Sequence, residues 1–424
     1  MLHRLRGAAL AVLVLAALAP AARAADPGVE EGAAPQAQLR ALTAAAVSAE
    51  SEKNLHAAFD HLYNLEFGPA LRLFEQVAQA EPDSATVRAF WASALLYEIL
   101  AHQGSLQSQL FVTTNEFLKQ QRLPVDPQLD RRFQEVTEEA QQVAQRRLKR
   151  DPQDMDGLFA LGLVYGNQAN YAAGVKAEYF RGLRLGEKAF DSHRRLRQLR
   201  PELHDTAIVL GIHDYILGSL PRTLRFFLFF AGARGSRERG LVYFQEAATQ
   251  GEYLTTYAKI LLVVARFREQ QLAQALPLVE DLRGRYPRNP IFTLELTKLY
   301  RQLERYPEAT RMCHELLAEL IAHPHNPRVI GPEDALLELG MIEDASGDPQ
   351  RALESLRQVE NIPGASKRVW AQALLERGKI FDRLGERDQA LAEYDKVIRL
   401  GAYPEVTRLA FAYRKQPYQP GARN

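Results

Sequence analysis

Cysteine is almost missing from this chain: Cys313 is the one such residue in 424. That excludes an intramolecular disulfide and a thiolate zinc site, and Cys313 reads as a small buried apolar side chain, not a nucleophile. An excess of one charge is missing too. Fifty-three basic and 52 acidic residues leave a formal +1, so no electrostatic footprint points to nucleic acid. The sequence contains no Gly-x-Gly-x-x-Gly after a strand pattern, no phosphate loop closing in Gly-Lys-Ser/Thr, no Gly-x-Ser-x-Gly elbow and no His-Glu-x-x-His. Its ten histidines are dispersed. His323 and His325 share a Pro/Asn loop with no third ligand nearby, which reads as a surface turn. Residues 151–157 fail as a calcium loop, because Pro152 and Leu163 fall on the first and last ligand positions. They read as a turn whose acids cap the next helix. The expectation is a chain with no catalysis, no metal and no cofactor.

What is abundant is helix former. Ala, Leu, Arg, Glu and Gln dominate, residues that lose little side-chain freedom in a helix. The first 24 residues stand apart. Arg4 and Arg6 precede an apolar run from Ala8 to Ala19, and the stretch closes on Ala22-Arg23-Ala24. This is the pattern of a signal peptide, with a core shorter than the about 20 residues that a spanning helix needs. Cleavage would remove three arginines and no acid, leaving 50 basic and 52 acidic residues, a formal −2. The expectation is export, to the periplasm in a Gram-negative bacterium. Residues 25–50, rich in Ala, Pro and Gln, read as a flexible lead-in.

From about residue 55 the sequence repeats itself. An Ala recurs with a Pro twelve residues later, at Ala70/Pro82, Ala140/Pro152, Ala189/Pro201 and Ala275/Pro287. Larger residues four and seven positions after the Ala, as at Phe74/Val77 and Val279/Leu282, complete one helical face that Pro ends. Twelve residues ahead of the small position of a second helix, Gly162, Gly340 and Gly378 mark a preceding helix, and Gly347-Asp348 and Gly385-Glu386 supply the turns between. Ala275, Ala309, Ala352 and Ala390 are separated by 34, 43 and 38 residues. The interval of 70 between Ala70 and Ala140 is two periods and leaves room for a weaker repeat with Ser93 and Ser105 at its small positions.

These features resemble the tetratricopeptide repeat family, whose period is about 34 residues. The best single stretch is Trp370 to Leu400, with Gly378, Phe381, Gly385, Ala390 and Tyr394; Leu62 to Asp83 is a second. The resemblance implies an all-α, right-handed α-solenoid of antiparallel helix pairs, with an N-terminal array over 51–205 and a C-terminal array over 252–403. Residues 206–251 break the pattern. They read as a glycine-bearing helix at Gly211, a Leu-Pro turn after Gly218, a short apolar helix within 224–232, a Gly/Arg loop and a further helix through Phe244. This order resembles a segment in a distinct group of tetratricopeptide proteins, which includes bacterial exported members and a eukaryotic branch associated with the mitochondrial outer membrane and inclusion-body clearance. Members of known role act as adaptors. Residues 404–424 read as a tail, frayed from Gln416 onward.

Two candidate surfaces follow. A solenoid presents its first helices along a concave groove, which assigns to it Tyr257, Ile260, Val264 and Phe267, then Lys298 and Arg301, then Met341, Lys379 and Asp382, with Asp334, Asp344 and Gln372 beside them. Such a groove suits an extended or helical peptide with apolar anchors and an acidic contact. The second surface is Arg222, Arg225, Phe226, Phe227, Phe229, Phe230, Arg234 and Arg237, which combine an aromatic run with arginines as a shallow lipid-interface element does. The simpler reading packs that run between neighbouring helices. The basic cluster Arg181, Arg184, Lys188, Arg194, Arg195, Arg197 and Arg200, interleaved with acids, reads as a solvated helix face. The sequence thus leads to an exported scaffold for a protein or peptide, with peripheral membrane contact as the alternative and no nucleic-acid partner.

Overall fold

The computed structural model describes residues 47–104, 124–221, 225–226, 235–323, 329–401 and 403–420. Among these residues there are seventeen α-helices and no strand, and the chain divides into two compact units, Met1–Glu269 and Gln270–Asn424. The expected signal peptide, most of the lead-in, Ser105 and His325 lie outside the described residues.

The first unit holds α1 (Ala49–Tyr63), α2 (Phe67–Ala80), α3 (Ala85–His102), α4 (Pro127–Arg150), α5 (Met155–Asn170), α6 (Tyr179–Leu199), α7 (Ala207–Ser219), α8 (Arg237–Gln250) and α9 (Thr255–Arg268). The second holds α10 (Leu272–Arg285), α11 (Pro290–Gln302), α12 (Tyr306–Ala322), α13 (Pro332–Ala345), α14 (Pro349–Gln358), α15 (Lys367–Arg383), α16 (Arg387–Leu400) and α17 (Pro404–Lys415). The last of these differs from the sequence expectation of a tail: Pro404 opens a helix that buries Val406, Ala410 and Tyr413, four and three residues apart on one face.

The periodic residues do what their spacing requires. Ala70, Ala140, Ala189, Ala275, Ala309, Ala352 and Ala390 are all buried. In each Ala/Pro pair the helix stops two residues before the proline, at Ala80, Arg150, Leu199 and Arg285, because Pro cannot continue the ladder and pushes its predecessor out of the helical region. Within a pair, a glycine of the first helix gives the second helix room. A Cβ on Gly378 would lie 2.4 Å from the Tyr394 ring, and one on Gly340 would lie 2.6 Å from Leu356 Cγ. Gly162 makes the same allowance for His193, whose ring stacks on Phe159 at 5.1 Å and donates through Nε2 to the Phe159 carbonyl at 3.1 Å. Burial pulls the His193 pKa down to about 4. The turn glycines Gly347 and Gly385 take φ of +95° and +78°, a region that favours glycine.

Acids cap the helices, as expected for 151–157. Asp154 accepts from the Gly157 N–H at 2.7 Å and Asp151 from the Gln153 N–H at 2.9 Å. Asp156 is buried and reaches across to the start of α3, accepting from Ala85 N at 2.8 Å and Thr86 N at 3.1 Å. Cys313 is buried and its Sγ lies 3.2 Å from the Ala335 carbonyl oxygen; burial pushes its thiol pKa far up, the behaviour of a packing residue.

Candidate partner-binding faces

In the first unit, α9 closes on the first-helix face. Tyr253, just before α9, stacks on His56 at 5.7 Å and meets Phe59 at 6.3 Å and Phe90 at 5.4 Å, and Tyr257 stands edge-on to Tyr97 at 6.3 Å. The partners belong to α1 and α3, about 160 to 200 residues earlier in the chain. Asp205 locks this arrangement. Its buried carboxylate accepts the N–H groups of Glu252, Tyr253 and Leu254 at 3.1, 3.2 and 3.1 Å, fixing the turn that leads into α9. The sequence-derived groove residues Ile260 and Phe267 are 1% and 6% exposed, so they are core of this unit and not a surface for a partner. Tyr257 and Val264 are half-buried, and burial raises the Tyr257 pKa to about 12. The physical reason is that α9 packs against its own unit on more than one side, which helical spacing alone does not reveal.

The first-helix face of the second unit is ionic. Lys298, Met341 and Lys379 each follow the small residue that faces inward (Thr297, Gly340 and Gly378), and one helical step of about 100° turns them off the pair's core. Lys298 pairs with Glu295 at 2.8 Å, and Lys379 pairs with Glu376 at 2.6 Å. Other pairs bridge successive first helices. Arg301 of α11 holds Glu338 of α13 at 2.6 Å, Asp334 of α13 faces Arg368 of α15 at 3.9 Å, and Asp344 of α13 pairs with Arg383 of α15. Burial raises the pKa of Glu338 and of Asp334, the nearby cations notwithstanding. The basic contact expected at Lys298 and Arg301 is therefore already neutralised by this chain's own carboxylates. Met341 and Gln372 are half-buried on the same helices.

Asp382, the last sequence-derived groove residue, accepts from Arg387 at 2.7 Å, from the Tyr394 hydroxyl at 2.8 Å and from the backbone N–H of Tyr418 at 2.7 Å. Residues 416–420, expected to fray, thus return to the face of α15. Deeper in that pair, Arg377 is 6% exposed and bonded to Glu393 at 2.8 Å and to Glu360.

In the 206–251 segment, α7 and α8 approach backbone to backbone. A Cβ on Gly218 would fall 2.3 Å from Arg237 N, and one on Gly235 would fall 2.4 Å from Leu217 Cβ. Asp214 and Arg239 form a two-pronged ion pair across them. Of the second candidate surface, Arg222, Phe227, Phe229, Phe230 and Arg234 lie outside the described residues. Phe226 is 60% exposed, Arg225 donates to the Gly218 carbonyl at 3.3 Å, and Arg237 pairs with Glu269 at 3.1 Å. The basic cluster is largely spoken for: Arg181 with Glu178, Arg194 with Asp191, Arg197 with Glu246, Arg200 with Glu202, and Lys188 over the Tyr165 ring. Among the described residues no group of three or more His, Cys, Asp or Glu is arranged to hold a metal ion, and no helix is long and apolar enough to cross a membrane.

Sequence reasoning missed Tyr253 and Tyr418. The signal for each was an aromatic residue beside helix-breaking neighbours, Gly251 in one case and Pro417 and Pro420 in the other. No curated protein matches this sequence. Among solved structures, the chain is similar to PilW, described as a widely conserved type IV pilus biogenesis factor, at 16% identity over 57% of this chain and 92% of that one, with a TM-score of 0.37. It is also similar to yeast Tom70 at 10% identity, over 86% and 89% of the two chains with a TM-score of 0.38. A tetratricopeptide repeat protein of Parabacteroides merdae matches at 13% identity over 87% and 100%, with a TM-score of 0.31. These likenesses are too distant to carry a role. Residues 371–400 match the model of the tetratricopeptide repeat. That stretch is a tetratricopeptide repeat, and helix pairs that meet through buried small residues extend from Ala70 to Ala390.

Proposed function

We propose that this chain is an exported scaffold that holds a protein or peptide along the first-helix face of its second unit. The observation that carries this reading is the run of charged side chains at Lys298, Arg301, Asp334, Asp344 and Lys379 on α11, α13 and α15, with Arg301, Asp334 and Asp344 tied between helices. Paired charges on a rigid ledge give a partner register and orientation more than raw affinity. A partner engages by exchanging its own groups into those pairs, with Met341 and Gln372 as adaptable contacts beside them.

The test is affinity capture from detergent-solubilised envelope, comparing the wild-type chain with Met341→Glu/Gln372→Glu, which leaves every ion pair intact. A stoichiometric protein retained by the wild type and lost by the variant is the expected result; equal capture removes the face as the site. Export rests on Arg4, Arg6 and the Ala8–Ala19 run. It is tested by sequencing the amino terminus of the protein recovered outside the cytoplasm, where Ala25 is the expected first residue.

A second reading, peripheral lipid contact through 222–239, draws on one observation, the exposure of Phe226 beside Arg225. Co-sedimentation with anionic vesicles that is abolished by Phe226→Glu would favour it, and no co-sedimentation of the wild type would dispose of it.

A further inference from the structure

Beyond α17 the chain turns back against α15. Of residues 416–420 only Tyr418 is drawn in; Gln416, Pro417, Gln419 and Pro420 remain exposed. Two kinds of contact hold it. Its backbone N–H donates to Asp382 Oδ2 at 2.7 Å, and its ring lies against Tyr413 at 5.2 Å with Lys379 Nζ 4.9 Å from its ring centroid. Lys379 is oriented for this by Glu376 at 2.6 Å, and that carboxylate also keeps the ammonium pKa above its ordinary value although burial opposes it. Asp382 is held by Arg387 and the Tyr394 hydroxyl, and Arg387 also donates to the Tyr413 and Arg414 carbonyls at 2.8 Å each, closing the end of α17.

The receptor groups are therefore built by α15 and α16, with Tyr413 of α17 beside them, and they recognise a main-chain N–H and an aromatic face. Neither contact depends on Tyr418 being joined to α17. The prolines at 417 and 420 restrict the segment and bias Gln416 and Gln419 toward extended backbone, so the bound shape costs little entropy to form. With one anchored residue in five, the segment is weakly held. Lys379 and Asp382 are also two of the positions that a partner on the first-helix face would reach.

We propose that the face of α15 at Lys379 and Asp382 is a binding site for an extended peptide bearing an aromatic residue next to proline, and that residues 416–420 are its resident, displaceable occupant. The inference rests on the reading of the chain as a peptide-binding scaffold and adds to it the chemistry of the ligand and a built-in competitor.

A labelled synthetic peptide spanning Lys415–Asn424 is titrated, by fluorescence anisotropy, into the intact chain, a chain ending at Lys415, and the intact chain carrying Tyr418→Ala. The last keeps α17 whole and guards against misfolding of the truncation. The expected result is binding by both altered chains at least about tenfold tighter than by the intact chain, since a resident occupant lowers apparent affinity by the fraction of sites it leaves open. The same peptide with Ala in place of its tyrosine should not bind. Lys379→Ala in the truncated chain should weaken binding about threefold, the scale of an exposed cation–π contact. Failure of both altered chains to bind overturns the site. Equal affinity for intact and altered chains overturns the occupancy. Neither failure bears on capture through Met341 and Gln372, and loss of that capture leaves this titration standing.

Discussion

The two units use the same helix pair and finish its first-helix face in opposite ways. In the first, the face is filled by rings: Tyr253 enters among His56, Phe59 and Phe90, and Tyr257 meets Tyr97. In the second it is laid with ion pairs that step from helix to helix through Arg301–Glu338, Asp334–Arg368 and Arg383–Asp344. An aromatic fill is dry and non-directional, so it makes a core. An ionic ledge sets its outer cations half-exposed over buried carboxylates such as Glu338, so its outer side can meet a partner and makes a surface. The difference teaches that the repeat decides where a face lies, while the side chains on it decide whether it is free to bind.

Two substitutions should separate the units most sharply. Tyr253→Ala removes a ring that is 5% exposed and should cost about 3–5 kcal/mol, read as loss of hydrogen-exchange protection in α1, α3 and α9. Arg377→Ala removes one of the two cations on buried Glu393, leaving Lys396 at 2.9 Å, and should cost about 1.5–3 kcal/mol, confined to α15 and α16. If either change spread its loss of protection evenly over all helices, the contrast between the units would fail.

Acid should divide them next. In the first unit the His193 pKa falls from 6.5 to about 4 on burial, so the unfolded chain binds the proton more readily than the native one. The stability it contributes is complete above pH 6.5 and is lost as pH falls toward 4, about 3 kcal/mol at most. Burial in the second unit raises the Glu338 pKa. There the native state holds the proton more firmly, and stability declines as pH rises past the ordinary carboxylate range. Denaturant melts from pH 4 to 8 with His193→Gln and Glu338→Gln as controls check both signs. A smaller effect belongs to Gly378→Ala, whose methyl would press on Tyr394 and cost about 1–3 kcal/mol in thermal melts. Smallest of all, Asp344→Asn should cost under about 1 kcal/mol, an effect that shrinks further in high salt.

Much of the scaffold was legible because its signals are local. Ala275, Ala309, Ala352 and Ala390 sit one period or one period plus a loop apart, and a small side chain at a helix crossing is required by the contact itself. Pro82, Pro152, Pro201 and Pro287 act on the two residues before them. The α17 helix was equally local, with Pro404 at its start and Val406, Ala410 and Tyr413 in register, yet the Pro-rich residues that follow it drew the reading toward a tail. The faces were half legible. Counting from Gly340 and Gly378 locates Met341 and Lys379, but nothing in the spacing tells that Arg301 finds Glu338, because that partner lies in the next repeat and depends on how one pair stacks on another. Ile260 and Phe267 went astray for a related reason: helical periodicity gives the direction of a side chain and is silent on what comes to cover it. Tyr253 and Tyr418 act from outside regular helices, where no period points to them.

The close approach of Gly218 to Arg237 brings the end of α7 and the start of α8 to nearly one point. Whatever is inserted there hangs from a closed clasp and transmits little strain to the helices on either side. Doubling the length of such an excursion costs only about 0.6 kcal/mol of closure entropy. The meeting of α7 and α8 at these glycines is thus a grafting point, where a foreign loop or an epitope can be inserted while the two helices keep their register.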